Sequence, residues 1–154
     1  MCRNVTNNVR YCHERGRSLE SAAFLDIAQN ICASLQKFYP LSYTIETDES
    51  PTEGAINNIL AEIYHNRGCI AAEMNRPSEA WAHHKKFNEM MVMELGDKPP
   101  GNDMRLAISW SQLGAAYMIN DDWTKGEECF VKAIRVMRLL DDYEPFKISL
   151  PSMF

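Results

Sequence analysis

The chain has 154 residues, 45% of them apolar and 24% charged, with six Phe, six Tyr and three Trp, which fits one globular domain and excludes a largely disordered chain. Sixteen Lys and Arg against twenty-one Asp and Glu leave a formal net charge of −5. No segment gathers enough basic residues to neutralise a row of phosphates, so nucleic-acid binding is not expected.

Residues 1–20 lack a leader-like apolar run, and no apolar stretch elsewhere approaches the length of a membrane span. The five cysteines, Cys2, Cys12, Cys32, Cys69 and Cys129, form no CxxC pair. Free thiols in a reducing compartment are therefore expected, in a cytoplasmic protein with no membrane partner.

Glycine, proline and asparagine break the chain at Gly16, 40–54, 75–77, 96–102, 120–122 and Pro145, leaving six predicted helices and an all-α fold. The first two, over 3–15 and 19–38, form a hairpin hinged at Gly16. Leu25, Ala28, Ile31, Leu35 and Phe38 make the apolar stripe of its second helix. Ser50-Pro51-Thr52-Glu53 then supplies a capping serine, a proline at the first helical position and a glutamate to complete a capping box. The helix that follows carries Ile56, Ile59, Leu60, Ile63, Tyr64 and Ile70 on one face. Its partner begins at Pro77, carries Ala80, Trp81, Phe87, Met90, Met91 and Leu95, and ends at Gly96, which is expected in a left-handed turn. Met90, Met91 and Met93 are expected to fill gaps in the core. A last pair spans 103–119 and 122–140, with Asp103 and Asp122 as N-caps and Asn120 closing the first. The predicted hairpins thus cover about 3–38, 51–95 and 103–141 of a domain over 1–145, and 146–154 is a tail.

Aligning the chain with itself places Tyr64, Gly68 and Ala80 on Trp110, Gly114 and Gly126, an offset of 46 residues (114 minus 68) at each position. In the later copy, Ala107, Trp110, Leu113, Gly114, Tyr117, Trp123, Phe130 and Ala133 resemble the tetratricopeptide repeat signature almost position for position. The physics suits these types: Gly114 lets paired helices approach, Trp110, Leu113 and Tyr117 fill the space between them, and Phe130 and Ala133 meet the next layer. The earlier copy has Arg67 where an apolar residue is usual and His84 where an aromatic is usual, so a looser hairpin is expected there. Tyr11-Cys12-His13-Glu14-Arg15-Gly16, Asn57-Asn58-Ile59, Asn75-Arg76-Pro77-Ser78-Glu79-Ala80 and His84-Lys85-Lys86 further resemble arrays that follow the nucleotide-binding module of fungal NB-ARC or NACHT receptor-like proteins.

The resemblance implies antiparallel helical hairpins stacked as a short right-handed α-solenoid, and a protein- or peptide-binding role without cofactor or catalytic residues. The narrower resemblance implies a sensing or autoinhibitory array. No GxxxxGK[ST] string occurs, so a P-loop nucleotide site is not expected, and docking onto a separate nucleotide-binding domain or onto a second copy is.

In such arrays the first helix of each hairpin lines a concave groove. The groove residues here would be Glu62, His65, Cys69, Ala72 and Glu73 from one hairpin, and Ile108, Ser111, Gln112, Ala115 and Met118 from the next. Ile108, Ala115 and Met118 offer apolar contact, and Ser111 and Gln112 offer hydrogen bonds. Glu62, His65 and Cys69 also have the spacing of a metal-ligand trio, with His83 or His84 as a fourth ligand. Chance spacing accounts for this as readily, and no metal is expected. A Cys–His nucleophile is disfavoured too, since nothing marks an oxyanion hole. The polar cluster Arg3 to Arg17 and the acidic stretch 46–53 read as solvated surface.

Overall fold

The computed structural model describes residues 17–38, 53–98 and 103–141. Five helices run through them: α1 (Ser18–Phe38), α2 (Glu53–Glu73), α3 (Pro77–Leu95), α4 (Arg105–Ile119) and α5 (Trp123–Asp141). Among the described residues there is no strand, and the fold class is all-α. The predicted helix over 3–15, its hinge at Gly16, the cap at Ser50 and Pro51, and the tail 146–154 lie outside the described residues.

The chain divides into two compact units, one ending at His83 and one beginning at His84, so the boundary falls within α3. In the first, α1 packs on α2. Leu25, Ala28 and Cys32 of α1 close over Ile56, Ile63 and Ile70 of α2, with Phe24, Ile31, Leu35, Ile59, Leu60 and Met74 around them. Of the predicted stripes, Leu25, Ala28, Ile31 and Leu35 of α1 and Ile56, Ile59, Leu60, Ile63 and Ile70 of α2 pack here, while the Phe38 side chain lies outside the described residues. In the second unit α4 packs on α5, with Ala107, Leu113, Ala116, Cys129, Ala133 and Leu140 buried alongside Phe87 and Met91 of α3.

Arg67 of α2 is engaged with α1. Its largely buried side chain bonds Asp26 of α1 through Nη2 at 2.5 Å, so a cross-helix ion pair stands where an apolar contact was expected. In the second unit the buried Asn88 of α3 donates from Nδ2 to Ser109 Oγ of α4 at 3.0 Å, and that hydroxyl donates to the Leu106 carbonyl at 2.8 Å. The chain of bonds satisfies two polar side chains inside the core.

Two turns repeat the same backbone bonding. After α2, the Arg76 N–H donates to the Ala71 carbonyl at 2.8 Å and that of Asn75 to Ala72 at 3.1 Å. After α4, Asp122 donates to Tyr117 and Asp121 to Met118, both at 3.0 Å. Each is a Schellman ending. Its left-handed residue is Asn75 at φ 57° and Asp121 at φ 63°, and these are again 46 residues apart (121 minus 75).

Several local expectations change. Asn120 ends α4 with φ −100° and donates from Nδ2 to the Ala116 carbonyl at 2.7 Å, while its neighbour Asp121 takes the left-handed position. Gly96 is not left-handed; glycine is needed there because any Cβ would run into the Val92 carbonyl. Met104 is the residue flanking α4 and makes no side-chain cap, but Asp103 Oδ1 still accepts from the Arg105 N–H at 3.0 Å. Asp122 Oδ1 caps α5 by accepting from the Lys125 N–H at 3.2 Å. Of the methionines, Met91 is fully buried but Met93 is 88% exposed.

Candidate partner-binding faces

The ten expected groove residues fall on α2 of the first unit and α4 of the second, and each set has its own surroundings. On α2, Glu62, Ala72 and Glu73 are exposed, and His65 and Cys69 are half-buried. The Glu73 carboxylate is engaged across the helix pair, accepting from Ser18 Oγ at 3.4 Å. Burial, and next the Glu73 carboxylate, push the Cys69 thiol above the usual thiol value. It is held protonated, the reverse of what a nucleophilic cysteine needs. Among the described residues no three His, Cys, Asp or Glu side chains converge to hold a metal ion.

On α4, Ile108 and Ala115 are exposed as expected, and Ser111 and Gln112 are half-buried between them. Ser111 is a correction, because its hydroxyl donates to the Ala107 and Ile108 carbonyls at 3.0 and 3.3 Å. That back-bonding takes up its one proton, leaving only oxygen lone pairs for a partner. Met118 is another: its side chain leans on α5, with Cγ only 2.7 Å from where a Cβ on Gly126 would stand. It packs into the hairpin interface and is only half-buried.

The outer face has two members that the sequence reading missed. Met104 and Ile119 are each 50% exposed, beside Ile108 at 39%. Together with Ala115 they stand at spacings of 4, 7 and 4 residues, which gather on one side at 3.6 residues per turn. Counting this phase along the whole helix, not only its middle, would have found them. The opposite side of α4 is the buried one, through Ala107, Leu113 and Ala116. The flanks are held by α5, whose Lys132 ammonium sits 4.4 Å over the Trp110 ring, and by Lys125, 5.6 Å over Tyr117.

At the start of α4, Arg105 donates to Asp103 at 2.7 Å and to Glu94 of α3 at 3.0 Å. The Arg105 side-chain hydrogen bond holds the Asp103 carboxyl below the usual carboxylate range, and Asp103 in turn raises Arg105. This cluster fixes the end of the helix that presents Met104 and Ile108. Compared with protein-family models, curated proteins and solved structures, the chain finds no match.

Proposed function

We propose that the chain is a non-catalytic, cytoplasmic adaptor of the tetratricopeptide type, built from antiparallel helical hairpins, that holds a protein or peptide segment on the outer face of α4. The observation that carries this reading is the apolar stripe of Met104, Ile108, Ala115 and Ile119, all exposed on one side of a helix whose other side is already packed. A helix with two apolar faces keeps one of them for a partner. The close crossing at Gly114 and the doubled turn at a 46-residue offset support the repeat reading. The likeness to receptor arrays favours docking behind a nucleotide-binding switch domain.

A second reading, self-association, is favoured by the outer side of α5, where Trp123, Val131 and Ile134 are all exposed. One experiment addresses both. Tagged chain is used to capture partners from a lysate, with an Ile108→Glu, Ala115→Arg variant as control, and its mass is followed over a hundredfold concentration range. Partners lost in the variant are expected; equal recovery with both proteins would defeat the α4 reading. A mass that rises with concentration and returns to the monomer in Ile134→Glu would establish self-association.

A further inference from the structure

Along α5, Trp123, Glu127, Val131, Ile134 and Arg138 stand at spacings of 4, 4, 3 and 4 residues, which keeps them on one side of a helix with 3.6 residues per turn. All five are exposed, whereas the buried residues Gly126, Cys129, Ala133 and Leu140 lie on a different side. We infer that this exposed side pairs with the same side of α5 in a second copy of the chain, antiparallel about a two-fold axis, with Glu127 of each copy against Arg138 of the other. The inference rests on the self-association reading above and gives that contact its partner and its geometry.

Position along the helix carries the argument. In a two-fold antiparallel contact, two residues meet across the interface when they stand at equal distances on either side of the axis. Glu127 and Arg138 are centred between 132 and 133, and Val131 and Ile134 are centred on the same point. An axis there sets Val131 of each copy against Ile134 of the other. It also sets Glu127 against Arg138 of the second copy, about 8 Å along the helix from the centre. One placement thus satisfies the apolar and the charged pairs together. A parallel contact would instead put Glu127 on Glu127 and Arg138 on Arg138, like charges both times.

The charges are available for this role. Among the described residues neither Glu127 nor Arg138 has an ion-pair partner, whereas Lys125 on the same helix is held by Asp122. Glu128 and Arg135, also exposed, share nearly the same midpoint and set a second pair of opposite charges beside the first. The helix dipole favours acid at the start of a helix and base at its end, but only within the terminal turns. The first turn of α5 holds no acidic residue, so the dipole does not account for Glu127. A face whose charged ends are opposite in sign and equidistant from an apolar centre is complementary to itself, which is why the occupant is a second copy. One helix side per copy is smaller than a standard interface, and a weak dimer is expected, with a Kd on the order of 10–100 µM.

The test is sedimentation equilibrium of the full chain over concentrations that bracket this Kd. The parent is expected to pass from monomer to dimer mass. Glu127→Arg and Arg138→Glu, both at exposed positions, should each weaken the dimer about tenfold, since each sets like charges together at both ends of the contact. The first makes this acidic chain less negative and the second more negative, so general charge repulsion would move the two variants in opposite directions. An equimolar mixture of the two single variants, and the double variant, should recover the affinity of the parent, because opposite charges meet again in both. Single variants that dimerise as tightly as the parent, or a mixture and double variant that recover nothing, would overturn the pairing; the apolar self-association reading would still stand if Ile134→Glu abolished the dimer. A parent that stays monomeric throughout would overturn both.

Discussion

Gly114 of α4 and Gly126 of α5 face each other where the two helices cross closely. A Cβ on Gly114 would stand 3.1 Å from the Gly126 carbonyl oxygen and 3.2 Å from both Cys129 Cβ and Phe130 Cδ2. Replacing Gly114 with Ala gains about 1 kcal/mol of helix propensity and loses about 1–3 kcal/mol to overpacking. A net loss of about 1 kcal/mol is expected, read as a lower urea midpoint at unchanged m-value. Gly114→Val should lose more, and a stabilised Ala variant would contradict the close crossing.

The Asn88–Ser109 bond makes a prediction with an internal control. Ser109→Ala leaves the Asn88 amide without its acceptor in a dry site, at a cost of about 1–3 kcal/mol. Adding Asn88→Leu removes the stranded group and should recover part of that loss. The double variant falling by the sum of both single effects would show that the two residues act independently.

Acid should weaken the start of α4. The folded-state pKa of Asp103 is depressed by Arg105, so its contribution is present above the unfolded carboxylate value, about 3.9, and is lost as pH falls through the lower folded value. The site is partly exposed, so on the order of 1 kcal/mol or less is at stake. Asp103→Asn should be less stable than the parent at pH 7, and the gap should close as the pH is lowered from about 5 toward 2. Urea midpoints for the two proteins across that range would check it.

Cys69 should alkylate slowly. Its raised pKa reduces the thiolate fraction at pH 8, and the thiolate is the reacting species. Site-resolved mass spectrometry with iodoacetamide should show Cys69 slower than the same residue in urea-unfolded chain, and buried Cys32 and Cys129 slower still. Glu73→Gln should speed it. A Cys69 that reacts faster folded than unfolded would revive the nucleophile reading.

Much of the fold was legible because helical phase is a local property. The Ile56-to-Ile70 stripe, the turn residues near 75 and 121, and the tight crossing at Gly114 each follow from spacings within a few turns. The Arg67–Asp26 pair spans 41 residues, and no local pattern announces it; the same arginine, judged by its neighbours alone, looked like a defect. The candidate face was half legible for a related reason. Exposure of Ile108 and Ala115 follows from phase, but Ser111 spending its proton on its own helix and Met118 turning to Gly126 depend on rotamers that spacing does not determine.

The paired turns at Asn75 and Asp121 also constrain how such a chain can change over time. Each keeps a left-handed residue and two fixed bonds within a three-residue link. A single inserted residue there would break both bonds, and a β-branched residue at either position would be strained. Insertions and deletions should be purged from these two links and tolerated in the segment after Gly96. Lineages carrying this architecture would then differ in the length of their repeat while preserving, almost letter by letter, the corner at which each hairpin folds.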